Sequence, residues 1–139
     1  MDDHLADSNV NRAYGLAATR IAIFTFMLIF LYPRSVSGEA NPLLFQATLM
    51  VMGVTTFSCV FAAFHYYGAS LRGQIDDAER LVYSRRADRF WLIGYSLLFL
   101  APSLVLFTVN LFLPGAVWLA LWLTYIGFVV RYFPRVQTT

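Results

Sequence analysis

The chain has 139 residues, 59% of them hydrophobic and only 13% charged, with a mean hydropathy of +0.62 and a formal net charge of +2. Soluble domains carry about a quarter charged residues, so a soluble globular fold is excluded, and so small a charge gives no reason to expect a nucleic-acid partner. The one cysteine, Cys59, rules out an intrachain disulfide and gives no information on redox compartment.

The apolar residues fall into four runs, about 13–32, 43–67, 90–113 and 116–133. Each is close to the ~20 residues a helix needs to cross ~30 Å of hydrocarbon. Lipid offers no hydrogen bonds to a bare backbone, so the expected fold is all-α: an integral membrane four-helix bundle, one transmembrane domain over 1–139 whose first partner is the bilayer. The acidic opening Met1-Asp2-Asp3-His4 is unlike the basic start of a signal peptide, and the first helix is expected to be retained as an anchor. All ten basic residues are arginines, and nine of them fall on one side of the four spans. They are Arg12 and Arg20, then Arg72, Arg80, Arg85, Arg86 and Arg89, then Arg131 and Arg135; only Arg34 lies opposite. Retention of positive charge in the cytoplasm then predicts both termini and the middle connection inside, in a bacterial inner (plasma) membrane.

In the first run, Arg20 stands about seven residues in, ~10 Å below the boundary at ~1.5 Å per residue. An ionisable group at that depth is costly and marks a functional site by default, although its long stem also allows it to snorkel to the headgroups. If it faces inward, its expected neighbours are His65 near the same end of the second run and the hydroxyls of Thr55, Thr56 and Ser58. His65 is the intramembrane group expected to titrate near neutrality and to set a pH response. Arg20→Leu would then leave His65 unpaired. Asn41-Pro42 should launch the second helix, and Cys59 reads as a small buried residue.

Between the second and third runs, Ile75, Ala78 and Val82 recur at helical spacing and Asp76 precedes Arg80 by one turn. A separate cytoplasmic amphipathic helix over 73–88 is expected, either as a connector lying among headgroups or as a docking surface for a soluble partner. Pro102 should kink the third helix, because it cannot donate to the carbonyl of Leu98. Leu113-Pro114-Gly115 reads as the tight turn into the fourth helix, where Ala116, Ala120 and Thr124 form a small-residue packing stripe.

Arg20-Ile21-Ala22-Ile23-Phe24-Thr25-Phe26 resembles the R-x-x-x-F-S-D signature of the pore helix in a family of lysosomal and bacterial potassium-selective channels lacking the usual selectivity-filter loop. Phe64-His65-Tyr66-Tyr67, the Asp88-Arg89 entry and the run from Leu97 to Leu104 follow in similar order. Phe26 stands where that family has aspartate, the second of its paired histidines is missing, and its repeat has six helices. The resemblance implies pore-lining roles for Arg20, Phe24 and Thr25 and a hydrophobic constriction near Leu31, while the missing aspartate removes the interhelical tether on which conduction in that family depends.

Enzyme chemistry finds no support, since all eight acids lie in termini and connections and no serine or cysteine has a histidine at motif spacing. No cofactor or metal is expected from two histidines 61 residues apart in sequence, His4 and His65. Two functions fit: a homo-oligomeric ion channel or transport protein for a cation or proton, with Arg20, Thr55, Ser58 and His65 lining its path, or a non-catalytic accessory or assembly subunit of a larger membrane complex.

Overall fold

A computed structural model describes the backbone of residues 3–71 and 75–136, which form four helices: α1 Asp3–Val36, α2 Pro42–Ser70, α3 Asp77–Thr108 and α4 Phe112–Val136. Each contains a span long and apolar enough to cross a membrane, Ser8–Val36, Pro42–Ser70, Asp77–Thr108 and Phe112–Arg131. The protein is therefore an all-α membrane bundle of four helices. The helices outrun the apolar runs because hydropathy marks only the part in hydrocarbon, while the i→i−4 ladder continues into the headgroup region.

That continuation alters the reading of the 73–88 segment. Residues 73 and 74 lie outside the described residues, and from Asp77 onward the segment is the first turns of α3, continuous with the membrane span. Asp76 does not pair with Arg80: it caps α3, its carboxylate accepting the Asp77 N–H at 2.7 Å. Arg80 reaches back instead, its Nε donating to the Ala69 carbonyl at 3.0 Å and its Nη1 lying 3.4 Å from Asp77. A cation on the last carbonyls of α2 both fills an orphan acceptor and complements the helix dipole.

At the other end α2 begins as its sequence suggests. Asn41 accepts the N–H groups of Leu43 and Leu44 at 3.0 and 3.2 Å, and Pro42 occupies the first helical position, where no donor is missed. The turn between α3 and α4 lies earlier than Leu113-Pro114-Gly115. Asn110 adopts φ +61°, its N–H bonds to Phe107 O at 3.1 Å, and the Leu111 N–H bonds to Leu106 O at 2.9 Å. This is a Schellman stop with asparagine in the left-handed position. Pro114 falls in the first turn of α4, where its lack of an N–H costs nothing. Asn110→Gly should therefore leave thermal stability unchanged or slightly raised, while Asn110→Val should cost about 1–2 kcal/mol, the strain of a branched L-residue at that φ. Equal midpoints for the two variants in detergent would refute the assignment.

Each helix packs on its neighbour in sequence: α2 on α3 most extensively, then α1 on α2, then α3 on α4. The other pairs barely touch, so α1 and α4 stand apart at the ends of the series. The buried side chains are mostly small, including Ala13, Ala17, Ala62, Ala63, Cys59, Ser96, Ser103, Thr48 and Thr108, whereas Ile29, Phe30, Met50, Phe57, Leu113 and Val130 face outward. Lipid tails give no drive to bury large apolar groups, and small residues let backbones approach. A Cβ at Gly94 would meet Cys59 Sγ at 3.0 Å and Thr55 O at 3.4 Å, so α3 crosses α2 at a point where only glycine fits freely. Thr48 and Thr108 share a buried hydroxyl contact of 3.3 Å across the same interface. Ser103 Oγ donates to Gly115 O at 3.1 Å and Trp122 Nε1 to Ser96 O at 2.8 Å, fastening α4 to α3.

Candidate functional site

Thr55 and Cys59 are one turn apart on α2 and so share a face. On that face lies the guanidinium of Arg20, which is only 2% exposed. Its Nη1 donates to the Thr55 carbonyl at 2.9 Å and lies 2.8 Å from Cys59 Sγ. A carbonyl has two lone pairs, so that of Thr55 can accept from the helix and from the arginine together. Gly94 brings α3 against the same turn.

The remaining donors of the guanidinium, Nε and Nη2, are buried and have no hydrogen-bond partner. Among the described residues no carboxylate pairs with Arg20. The aspartate deepest in α3, Asp88, accepts instead from Tyr66 Oη at 2.8 Å, in the same region where Arg12 lies 5.6 Å over the Trp91 ring. A buried charge is normally paired and fully hydrogen-bonded. Arg20 is neither.

Arg20 forms part of the wall of a cavity of about 370 Å³. Ile23 and Met27 of α1, Met52 and Thr55 of α2, and Trp118 of α4 share that wall, and α3 contributes five side chains from Leu98 to Leu106, Pro102 among them. Because α1 and α4 do not pack on each other, the cavity is the space left between them, floored by α2 and α3. Pro102 sits within an unbroken α3, beside Leu98, whose carbonyl has lost its usual donor one turn on.

The other expected site residues are dispersed. Ser58 is buried, Phe24 and Leu31 are half-buried, Thr25 is exposed, and none of the four reaches the cavity. Thr25 turns its hydroxyl to Ile21 O at 2.9 Å, as Thr55 does to Val51 O at 2.6 Å and Thr56 to Met52 O at 2.9 Å. These hydroxyls are spent on their own helices.

His65 is not the partner of Arg20. Six residues beyond Cys59, it points about 120° away from it at 3.6 residues per turn. Its Nδ1 lies 2.8 Å from Phe61 O, and its ring packs 5.3 Å from Phe90 and 6.0 Å from Tyr83, in a groove shared with Arg86 and Arg89. The expected Arg20–His65 cluster is thus divided between two faces of α2. On α4, Ala116, Ala120 and Thr124 are exposed and face away from the chain's own core. Sequence reasoning missed the contact with Cys59, for which the one available signal was its one-turn spacing from Thr55. Comparison of the chain with protein-family models, with curated proteins and with solved structures finds no match.

Proposed function

We propose that this is a small, non-enzymatic membrane transport protein that works as an assembly of identical copies, with the Arg20 cavity as its substrate-facing site and an anion as its cargo. The observation that carries the reading is the buried Arg20 with two of its three guanidinium nitrogens unpartnered. Intramembrane charge left uncompensated is costly, and where it persists it marks a substrate or ion pathway. The sign of the cargo follows from electrostatics. A permanent cation in low dielectric repels a cation and has no lone pair with which to take a proton, so the cation or proton expected from sequence gives way to an anion. The potassium-channel resemblance of α1 is compatible with a transport role but not with that choice of cargo.

The outward small-residue stripe on α4 supports assembly, because Ala116, Ala120 and Thr124 leave room for a second helix that the chain itself does not supply. In mild detergent the particle should have the mass of several copies, and Ala120→Leu should reduce it to one. Purified protein in vesicles should carry chloride or an alkylsulfonate down a gradient, with the flux lost in Arg20→Gln. Vesicles as tight as empty liposomes to both anions, with folded protein present, would overturn the reading. A single-copy mass together with tight vesicles would favour an accessory subunit, a reading supported by the poorly covered α1 and α4 flanks.

The nine-to-one arginine asymmetry supports termini and the α2–α3 connection in the cytoplasm. A reporter fused near Gly38 should read as external, and one at residue 74 as internal. Reversed signals would invert the orientation.

A further inference from the structure

We propose that the Arg20 cavity binds a single-chain carboxylate amphiphile, a free fatty acid in chemical class, taken laterally from the bilayer between α1 and α4. The proposal rests on the anion reading above and names its ligand.

The choice of head group comes from which donors are free. Arg20 uses Nη1 on Thr55 O and Cys59 Sγ, while Nε and Nη2 remain buried and without partners. Those two N–H groups form the parallel edge of the guanidinium, the fork that matches both oxygens of one carboxylate; covered in the ligand-free protein, they are reached when a ligand displaces the neighbouring cavity side chains. A halide would use this edge as a point charge and leave the fork geometry without purpose.

The tail comes from the rest of the wall. Ile23, Met27, Met52, Val105, Leu106 and Trp118 are apolar, and the cavity's 370 Å³ is in the range of small-molecule sites. Such a lining suits an alkyl chain better than a hydrated inorganic ion, whose desolvation it would not offset. Access is from the lipid side, because α1 and α4 do not pack together to close it. Depth separates a fatty acid from a phospholipid. Arg20 lies eight residues beyond Arg12, ~12 Å further in at ~1.5 Å per residue. A phosphate drawn to that level would bring its glycerol and second chain with it, whereas a carboxylate ends its own chain.

The test uses the full chain in phosphatidylcholine nanodiscs and reads tryptophan fluorescence. A bromine-labelled long-chain fatty acid should quench a saturable component, absent in Trp118→Phe. The same chain as its uncharged methyl ester should bind about tenfold or more weakly, and Arg20→Gln should weaken the acid by a similar factor without changing the ester. Ala101→Phe, which fills the cavity and leaves Arg20 in place, should abolish the saturable component, so the proposal does not depend on the folding of one variant. Equal binding of acid and ester would overturn it, because the guanidinium would then play no part. Saturable quenching by iodide with none by the fatty acid would overturn the amphiphile and leave the anion reading standing. No saturable quenching by either, with the helical spectrum intact, would overturn both.

Discussion

Arg20→Met should raise the thermal midpoint of the ligand-free protein in detergent, by the equivalent of about 1–4 kcal/mol, the gain seen when buried ionic groups give way to apolar ones of similar length. Sequence alone suggests the opposite sign, since an Arg20 paired with His65 would leave an unsatisfied imidazole when removed. The structure reverses it. His65 is bonded to Phe61 O on another face, so the substitution orphans only a thiol, a weak acceptor, and a carbonyl that retains its place in the helix ladder. Against those modest losses stands the release of a charge whose Nε and Nη2 have no partners. A scanning-calorimetry or fluorescence melt decides the matter, and a midpoint lowered by several degrees would mean that Arg20 is better compensated than its hydrogen bonds indicate. A native protein that retains a destabilising group at this position has the stability cost typical of a binding site.

Gly94→Leu should destabilise the fold by about 3 kcal/mol, at the upper end of losses from overpacking. A Cβ there already meets Cys59 Sγ at 3.0 Å, Ser58 Cβ at 3.3 Å and Thr55 O at 3.4 Å. Thr55 O is backbone and has little freedom to move aside, so α3 must lift from α2 along the interface that contributes most of the packing. The displaced turn also holds both acceptors of Arg20, and anion binding should fall together with stability. Gly127→Leu is the control, since nothing lies within 4 Å of a Cβ at that position. Equal unfolding midpoints for the two leucine variants would show that the close approach at Gly94 is not what holds α2 and α3 together.

The membrane spans and the start of α2 were legible because they depend on local chemistry: length, hydropathy and an Asn-Pro pair read the same in isolation as in the fold. The α3–α4 turn was misplaced by three residues because proline is the louder signal, yet its effect depends on position within a helix, and the first turn tolerates it. Asn110 has a left-handed stop within its repertoire, but a lone Asn is a weaker signal than a Pro-Gly pair. Partner choice at Arg20 was legible only for Thr55, which meets it through its carbonyl and not its hydroxyl. Helical periodicity ranks residues by face but does not say which face of α2 meets α1, and a rotation of about 120° exchanges His65 for Cys59. The cavity was equally hidden, because it arises from the absence of packing between two helices that are distant in sequence.

The reach of Arg20 across 35 residues to Thr55 and 39 to Cys59 also orders events at the translocon. When α1 leaves the ribosome, neither acceptor has yet emerged from the exit tunnel, and a lone arginine in a nascent span is opposed by about 2.5–3.5 kcal/mol at a helix centre. Partitioning of α1 into lipid should therefore await α2, the two helices entering as a hairpin that already contains the Arg20 contacts. Biogenesis of this protein would then be gated by a bond made before its fourth helix exists.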